Sequence, residues 1–139
     1  MLRRVSALIL RDNSVLLVKL KNQDRLMPRA TWVFPYLDIS DDVSPRREIT
    51  ALLNEFSVEY DLSGKVFKYS PSENPKLTYF LYVVSYKRGD PEVSKTFQAY
   101  KWVPIRDITA YSTSFMDGNV SKYLNEVADK FDRESKLNV

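Results

Sequence analysis

A chain of 139 residues with 44% hydrophobic and 13% aromatic side chains is long enough to bury a core within one domain. It has neither cysteine nor histidine, which excludes disulfides, thiolate zinc sites, thiol nucleophiles and every imidazole-dependent triad, and any intrinsic metal site must be built from oxygen. The formal charge of +3 permits an anionic ligand without demanding one, and three glycines are too few for a Walker A loop or a dinucleotide fingerprint.

Met1–Leu10 has a short apolar stretch followed by the turn signal Arg11-Asp12-Asn13, so it is read as a strand over Val5–Leu10 and not as a signal peptide. Val15–Leu20 completes a hairpin. Lys21–Ala30 is a polar loop. Trp32–Phe34 is a short strand ended by Pro35, and an acidic loop with Asp38, Asp41 and Asp42 follows, punctuated by Leu37, Ile39 and Val43. Ser44-Pro45 predicts a helix start, with serine as N-cap and proline at the first helical position. Ile49, Leu52, Leu53 and Phe56 then mark one helical face, and the helix is expected to end near Ser57.

Further along, Lys65–Tyr69 and the aromatic Leu77–Tyr86 are strands, separated by a proline-bearing loop over Ser70–Lys76. Gly89-Asp90-Pro91 is a turn. Thr96–Val103 is a strand stopped by Pro104, Ile105–Tyr111 a connection with a helical turn, and Asn119–Phe131 an amphipathic helix. The expected order is β-β-β-α-β-β-β-α: an α+β domain whose mixed β-sheet lies between helices. One domain is expected over residues 1–134, with residues 135–139 a frayed tail. The mean hydropathy is −0.35. No apolar run approaches the roughly 18 residues of a membrane span, and a cytoplasmic protein with no membrane partner is expected.

In this order and spacing, Trp32-Val33-Phe34-Pro35, Ser44-Pro45 and Lys101-Trp102-Val103-Pro104 resemble the Nudix hydrolase superfamily, the MutT-like fold, over nearly the whole chain. The resemblance implies an α/β/α sandwich and a metal-dependent hydrolase of nucleoside diphosphate compounds. The family's box is glycine, five residues, glutamate, seven residues, then Arg-Glu-U-x-Glu-Glu-x-Gly-U, with U a bulky aliphatic. Anchored on Phe34-Pro35, its glycine falls on Leu37, its first glutamate on Val43, its arginine on Ala51 and the next glutamate on Leu52. The aliphatic falls on Leu53, the paired glutamates on Glu55 and Phe56, and the closing pair on Val58 and Glu59. Only Leu53 and Glu55 match. The alternative register, with Arg47-Glu48-Ile49 as the Arg-Glu-U token, puts the paired acids on Ala51 and Leu52 and spaces the box wrongly from Phe34-Pro35.

In the family, carboxylates at i, i+3 and i+4 hold divalent cations that bridge the diphosphate and help activate water. Here those places are Leu52, Glu55 and Phe56, so the metal-facing side of the helix merges with its core-facing side. Glu55 is the one box acid retained and the sole catalytic candidate, and no metal ligand set is assigned. Leaving Leu52 and Phe56 in water costs about 1.5–3 kcal/mol each. The loop with Leu37, Ile39 and Val43, a second chain or an apolar ligand must cover them, so Leu37, Leu52 and Phe56 are an interface or a plug. Glu48, Glu55 and Glu59 lie along the helix flank as a solvated edge or a relocated acidic site. Asp38, Asp41 and Asp42 are an acidic turn or a loop cation cluster.

Tyr36 and Tyr79 are candidate stacking rings, and Lys19, Arg46 and Arg47 candidate phosphate contacts. The favoured function is a non-catalytic module binding a nucleotide, RNA or a protein partner, a homodimer included, with no cofactor. The first alternative is a hydrolase with a rearranged site, using Mg2+ or Mn2+ and a base such as Glu73, Glu92 or Asp117. The second is an oligomerisation or structural subunit.

Overall fold

A computed structural model describes residues 2–92, 97–111 and 116–137. Its centre is strand β1 (Leu2–Arg11), which the sequence reading began three residues late. Val5, Ala7, Leu8 and Ile9 are fully buried. A strand covered on both faces reads as an unbroken apolar run. β1 turns at Asp12, whose φ of 53° suits a short polar side chain, into β2 (Ser14–Leu20).

The two strands pair only near that turn, Leu10 with Val15 and Arg11 with Ser14. They then part, and the gap beside β1 is filled by a strand the sequence reading took for loop. After β3 (Trp32–Val33) and Pro35 comes β4 (Tyr36–Ile39), antiparallel to Arg3–Ser6 of β1. The Pro35 carbonyl accepts from the Ala7 amide and the Ser6 hydroxyl, both at 3.0 Å, which locks the chain into this register.

Helix α1 (Pro45–Asn54) starts where Ser44-Pro45 predicts, but the Ser44 side chain makes no cap bond. Its carbonyl instead accepts from the Arg47 and Glu48 amides. Ser57 ends the turn beyond the helix with φ 54°.

β5 (Glu59–Tyr69) begins six residues earlier than expected. It is an edge strand with an irregularity between Leu62 and Val66, where Gly64 takes φ +85°, so its first half has no buried alternation to read. β6 (Leu77–Arg88) runs antiparallel to β5 and parallel to β1. β7 (Phe97–Pro104) pairs with β2; Thr96, expected in this strand, lies outside the described residues. A 3-10 helix over Ile105–Ala110 forms the expected helical turn.

Helix α2 (Gly118–Leu137) is opened by Asp117, whose carboxylate accepts from the Val120 amide at 3.0 Å. It carries through Ser135 and Lys136, so this part of the expected frayed tail is helical; Asn138 and Val139 lie outside the described residues.

The sheet order is β3-β2-β1-β6-β5, with β4 added on β1 and β7 on β2. α1 packs on β1 and β4, and Tyr123 of α2 meets Phe67 of β5. The result is the expected mixed sheet between helices. No described helix is long and apolar enough to cross a membrane.

Candidate functional site

The gap where β1 and β2 diverge borders a concave feature of the molecule. One side of it is α1. Leu52 is 1% exposed and Phe56 is fully buried, together with Ile49 and Leu53. The ring over Phe56 comes from β7. Phe97 stacks on it with centroids 6.0 Å apart at 23°, and meets the Tyr36 ring edge-on at 5.7 Å. The Phe56 carbonyl also accepts from the Glu92 amide at 3.0 Å.

Leu52 and Phe56 are therefore buried within the chain. The cover differs from the expected one: Phe97 is part of it, and Leu37 and Ile39 belong to strand β4, half-buried against the core. Phe97 was missed because nothing near it in sequence points to the helix.

Beyond Tyr36 the same gap is closed by charge. Arg4, on β1, is 1% exposed. Its guanidinium donates to both oxygens of Asp24, at 2.6 and 3.2 Å, and to both of Asp38, at 2.6 and 3.3 Å. It also donates to the Tyr79 hydroxyl at 3.3 Å and lies over the Tyr36 ring, 3.8 Å from its centroid.

Burial opposes the charge on Arg4, but the hydrogen bonds to Asp24 and Asp38 outweigh it and hold its pKa above the usual arginine value. Burial pushes the Tyr36 hydroxyl up to about 12, against the Arg4 charge. Burial likewise raises Tyr79 and Tyr69, whose rings stack with centroids 5.3 Å apart.

A cleft of about 580 Å³ opens beside this centre, lined by Gln23, Asp24, Leu26, Tyr36 and Asp38 among others. Arg4 and Asp24 were not picked from the sequence. The signal for Arg4 was a charged residue at the head of an otherwise apolar central strand.

The sequence candidates do not converge. Tyr36 and Tyr79 meet at Arg4, but Tyr79 is only 3% exposed and is an interior ring, not a stacking platform. Lys19 pairs with Trp32 across β2 and β3, while Arg46 and Arg47 are exposed on the first turn of α1. Glu55 is the exposed residue just past the helix. Asp38 is tied to Arg4, and Asp42 accepts from the Ser40 hydroxyl at 2.6 Å. Asp117 caps α2, and Glu92 is exposed. Glu73 accepts from the Arg29 amide through one oxygen.

Among the described residues, no three carboxylates gather closely enough to hold a metal ion. Magnesium and calcium each take at least six oxygen ligands, part of them carboxylate. One exposed Glu55 beside a buried leucine and phenylalanine does not fit a divalent-ion centre on α1.

No family model and no curated protein matches the chain. Solved structures do. A Caenorhabditis elegans Ap4A hydrolase superposes with TM-score 0.69 at 12% identity, covering 95% of this chain and 98% of that one. A MutT protein from Methanosarcina mazei gives 0.61 at 19% identity, over 97% and 95% of the two chains. An ADP-ribose pyrophosphatase from Streptococcus suis gives 0.59 at 15% identity, over 76% and 75%. The likeness extends over most of the chain in each case at low identity, and by architecture the chain has the Nudix fold.

Proposed function

We propose that the chain is a non-catalytic Nudix-fold binding module for a nucleotide, an RNA or a protein partner, with no cofactor, acting in the cytoplasm. The observation that carries this is Phe56, which replaces a box acid, is fully buried and stacks on Phe97. A carboxylate cluster cannot be rebuilt there without opening the core, and a single carboxylate holds a hard cation poorly against water. The test offers nucleoside triphosphates, sugar nucleotides and cap-like dinucleotides with magnesium and with manganese. No turnover is expected, and Tm should not move with millimolar metal. Metal-dependent turnover abolished by Glu55→Gln overturns the reading.

The second reading is a hydrolase with a rearranged site. It is favoured by the compared structures, which are named as hydrolases and a pyrophosphatase. Glu73, whose Oε2 is buried with no hydrogen-bond partner among the described residues, is the base this reading needs. It expects turnover in the same screen that Glu73→Gln removes. A blank screen with several metals ends it.

A further inference from the structure

The binding reading leaves open where a partner docks, and the sheet supplies a surface outside the plugged gap. We infer that the face of β6 and β5 bearing Phe80 and Tyr82 is a docking surface for single-stranded nucleic acid. The inference rests on the binding-module reading.

Phe80 and Tyr82 are alternate residues of β6, on one face and roughly 7 Å apart by strand geometry. Both are half-buried. Their partners across β5 are Lys68 and Val66, and Val66 is 43% exposed. Leu62, two steps along the same face opposite Val84, is 39% exposed. Val66 and Leu62 are two of the three exposed large hydrophobics among the described residues, so the apolar surface is gathered here and not scattered.

The rim is basic. The Arg3 guanidinium lies 5.2 Å and the Lys68 ammonium 5.6 Å from the Phe80 centroid. The Arg3 guanidinium is fixed by donating to the Ser40 and Val43 carbonyls at 3.0 and 3.1 Å. Arg46, exposed on α1, is close enough to act electrostatically on the Tyr82 hydroxyl.

This pattern selects the occupant. A second copy laid face to face would bring like charges together over its rings. A second copy added along the β5 edge meets Lys65, Lys68 and the irregularity at Gly64, features that blunt edge pairing. An anionic chain carrying planar apolar rings satisfies both halves of the surface: phosphates on Arg3, Lys68 and Arg46, and unpaired bases on Phe80 and Tyr82. Paired bases offer no free face to these rings.

The test is fluorescence anisotropy with a labelled uridine dodecamer and the full chain, against the same length of RNA duplex. The single strand should bind more tightly, and its affinity should fall with salt. Tyr82→Ala should weaken it about tenfold. Lys68→Glu, at an exposed site, should weaken it and flatten the salt dependence. Lys136→Glu, exposed in the last turn of α2, should leave it unchanged. Dodecamer binding that ignores both Tyr82→Ala and Lys68→Glu overturns the surface and leaves the binding reading standing. Equal binding of the duplex, or no dodecamer binding by the wild type, also overturns the surface. Failure of the binding reading itself shows separately, as metal-dependent turnover.

Discussion

At the Phe56 end of the gap, the closure consists of rings and aliphatic chains, Leu52, Phe56 and Phe97, with no charged partner for these rings among the described residues. At the Arg4 end it consists of a cation with two carboxylates and two phenols. Tyr36 belongs to both, edge-on to Phe97 and face-on to Arg4. Apolar packing loses energy in proportion to the atoms removed, whatever the pH. A buried ion cluster fails all at once when one member leaves, because the rest keep charges they can no longer offset. One cleft is thus sealed by a graded element and by an all-or-none element.

The steepest test of that contrast is Arg4→Ala. Asp24, whose side chain is 5% exposed, would be left without its cation. The expected loss is about 3–5 kcal/mol in urea unfolding at neutral pH. Replacing Arg4 and Asp24 together by Met and Leu should cost less than Arg4→Ala alone, since the second change removes the stranded charge. Additive losses would show that the two residues are not coupled.

Phe56→Leu should cost less, about 1–2 kcal/mol, by leaving a gap under Phe97. The loss should be the same at pH 6 and pH 8. Phe97→Leu should be non-additive with it by about 0.5–1.5 kcal/mol, the worth of a stacked pair. Full additivity would mean that the rings touch without coupling.

The two ends also differed in how far sequence exposed them. The apolar end was half legible. Ile49, Leu52, Leu53 and Phe56 repeat at helical spacing within one segment, so the buried apolar face could be read locally. Phe97 could not, because it reaches Phe56 only when β7 pairs with β2. The ionic end was not legible. Arg4, Asp24, Asp38 and Tyr79 lie on β1, a polar loop, β4 and β6, and only the pairings of β4 and β6 with β1 bring them together. The strands follow the same logic. β1 is buried on both faces and announces itself. β4 hides behind Pro35 and its aspartate, and the first half of β5 is an exposed edge.

Alkali separates the ends next, by a smaller effect. The native state holds Tyr36, Tyr69 and Tyr79 as neutral phenols, with pKa values above that of an exposed tyrosine, mainly through burial. A raised pKa in the folded state means that this contribution to stability is whole below about pH 10 and lost as pH climbs past it. For Tyr36 the loss runs from about 10 to about 12. Ultraviolet titration should show exposed phenolates forming first and a late group forming as the fold opens. A single titration with every tyrosine near pH 10 would contradict the burial of the Arg4 centre.

The smallest effect expected lies outside the gap and calibrates the comparison. Arg106 of the 3-10 helix donates to Asp132 of α2, joining two elements by a pair whose side chains are 66% and 37% exposed. It has the same chemistry as Arg4 with Asp24, a guanidinium on a carboxylate, but water solvates both partners when they part. Arg106→Ala and Asp132→Ala should each cost under about 1 kcal/mol, and the cycle between them should yield roughly 0.2–1 kcal/mol that shrinks with added salt. The coupling between Arg4 and Asp24, shielded from water and from ions, should barely respond to salt. If the two cycles returned similar energies with similar salt dependence, burial would not be what makes the Arg4 closure steep, and the distinction between the two seals would reduce to a difference in residue type.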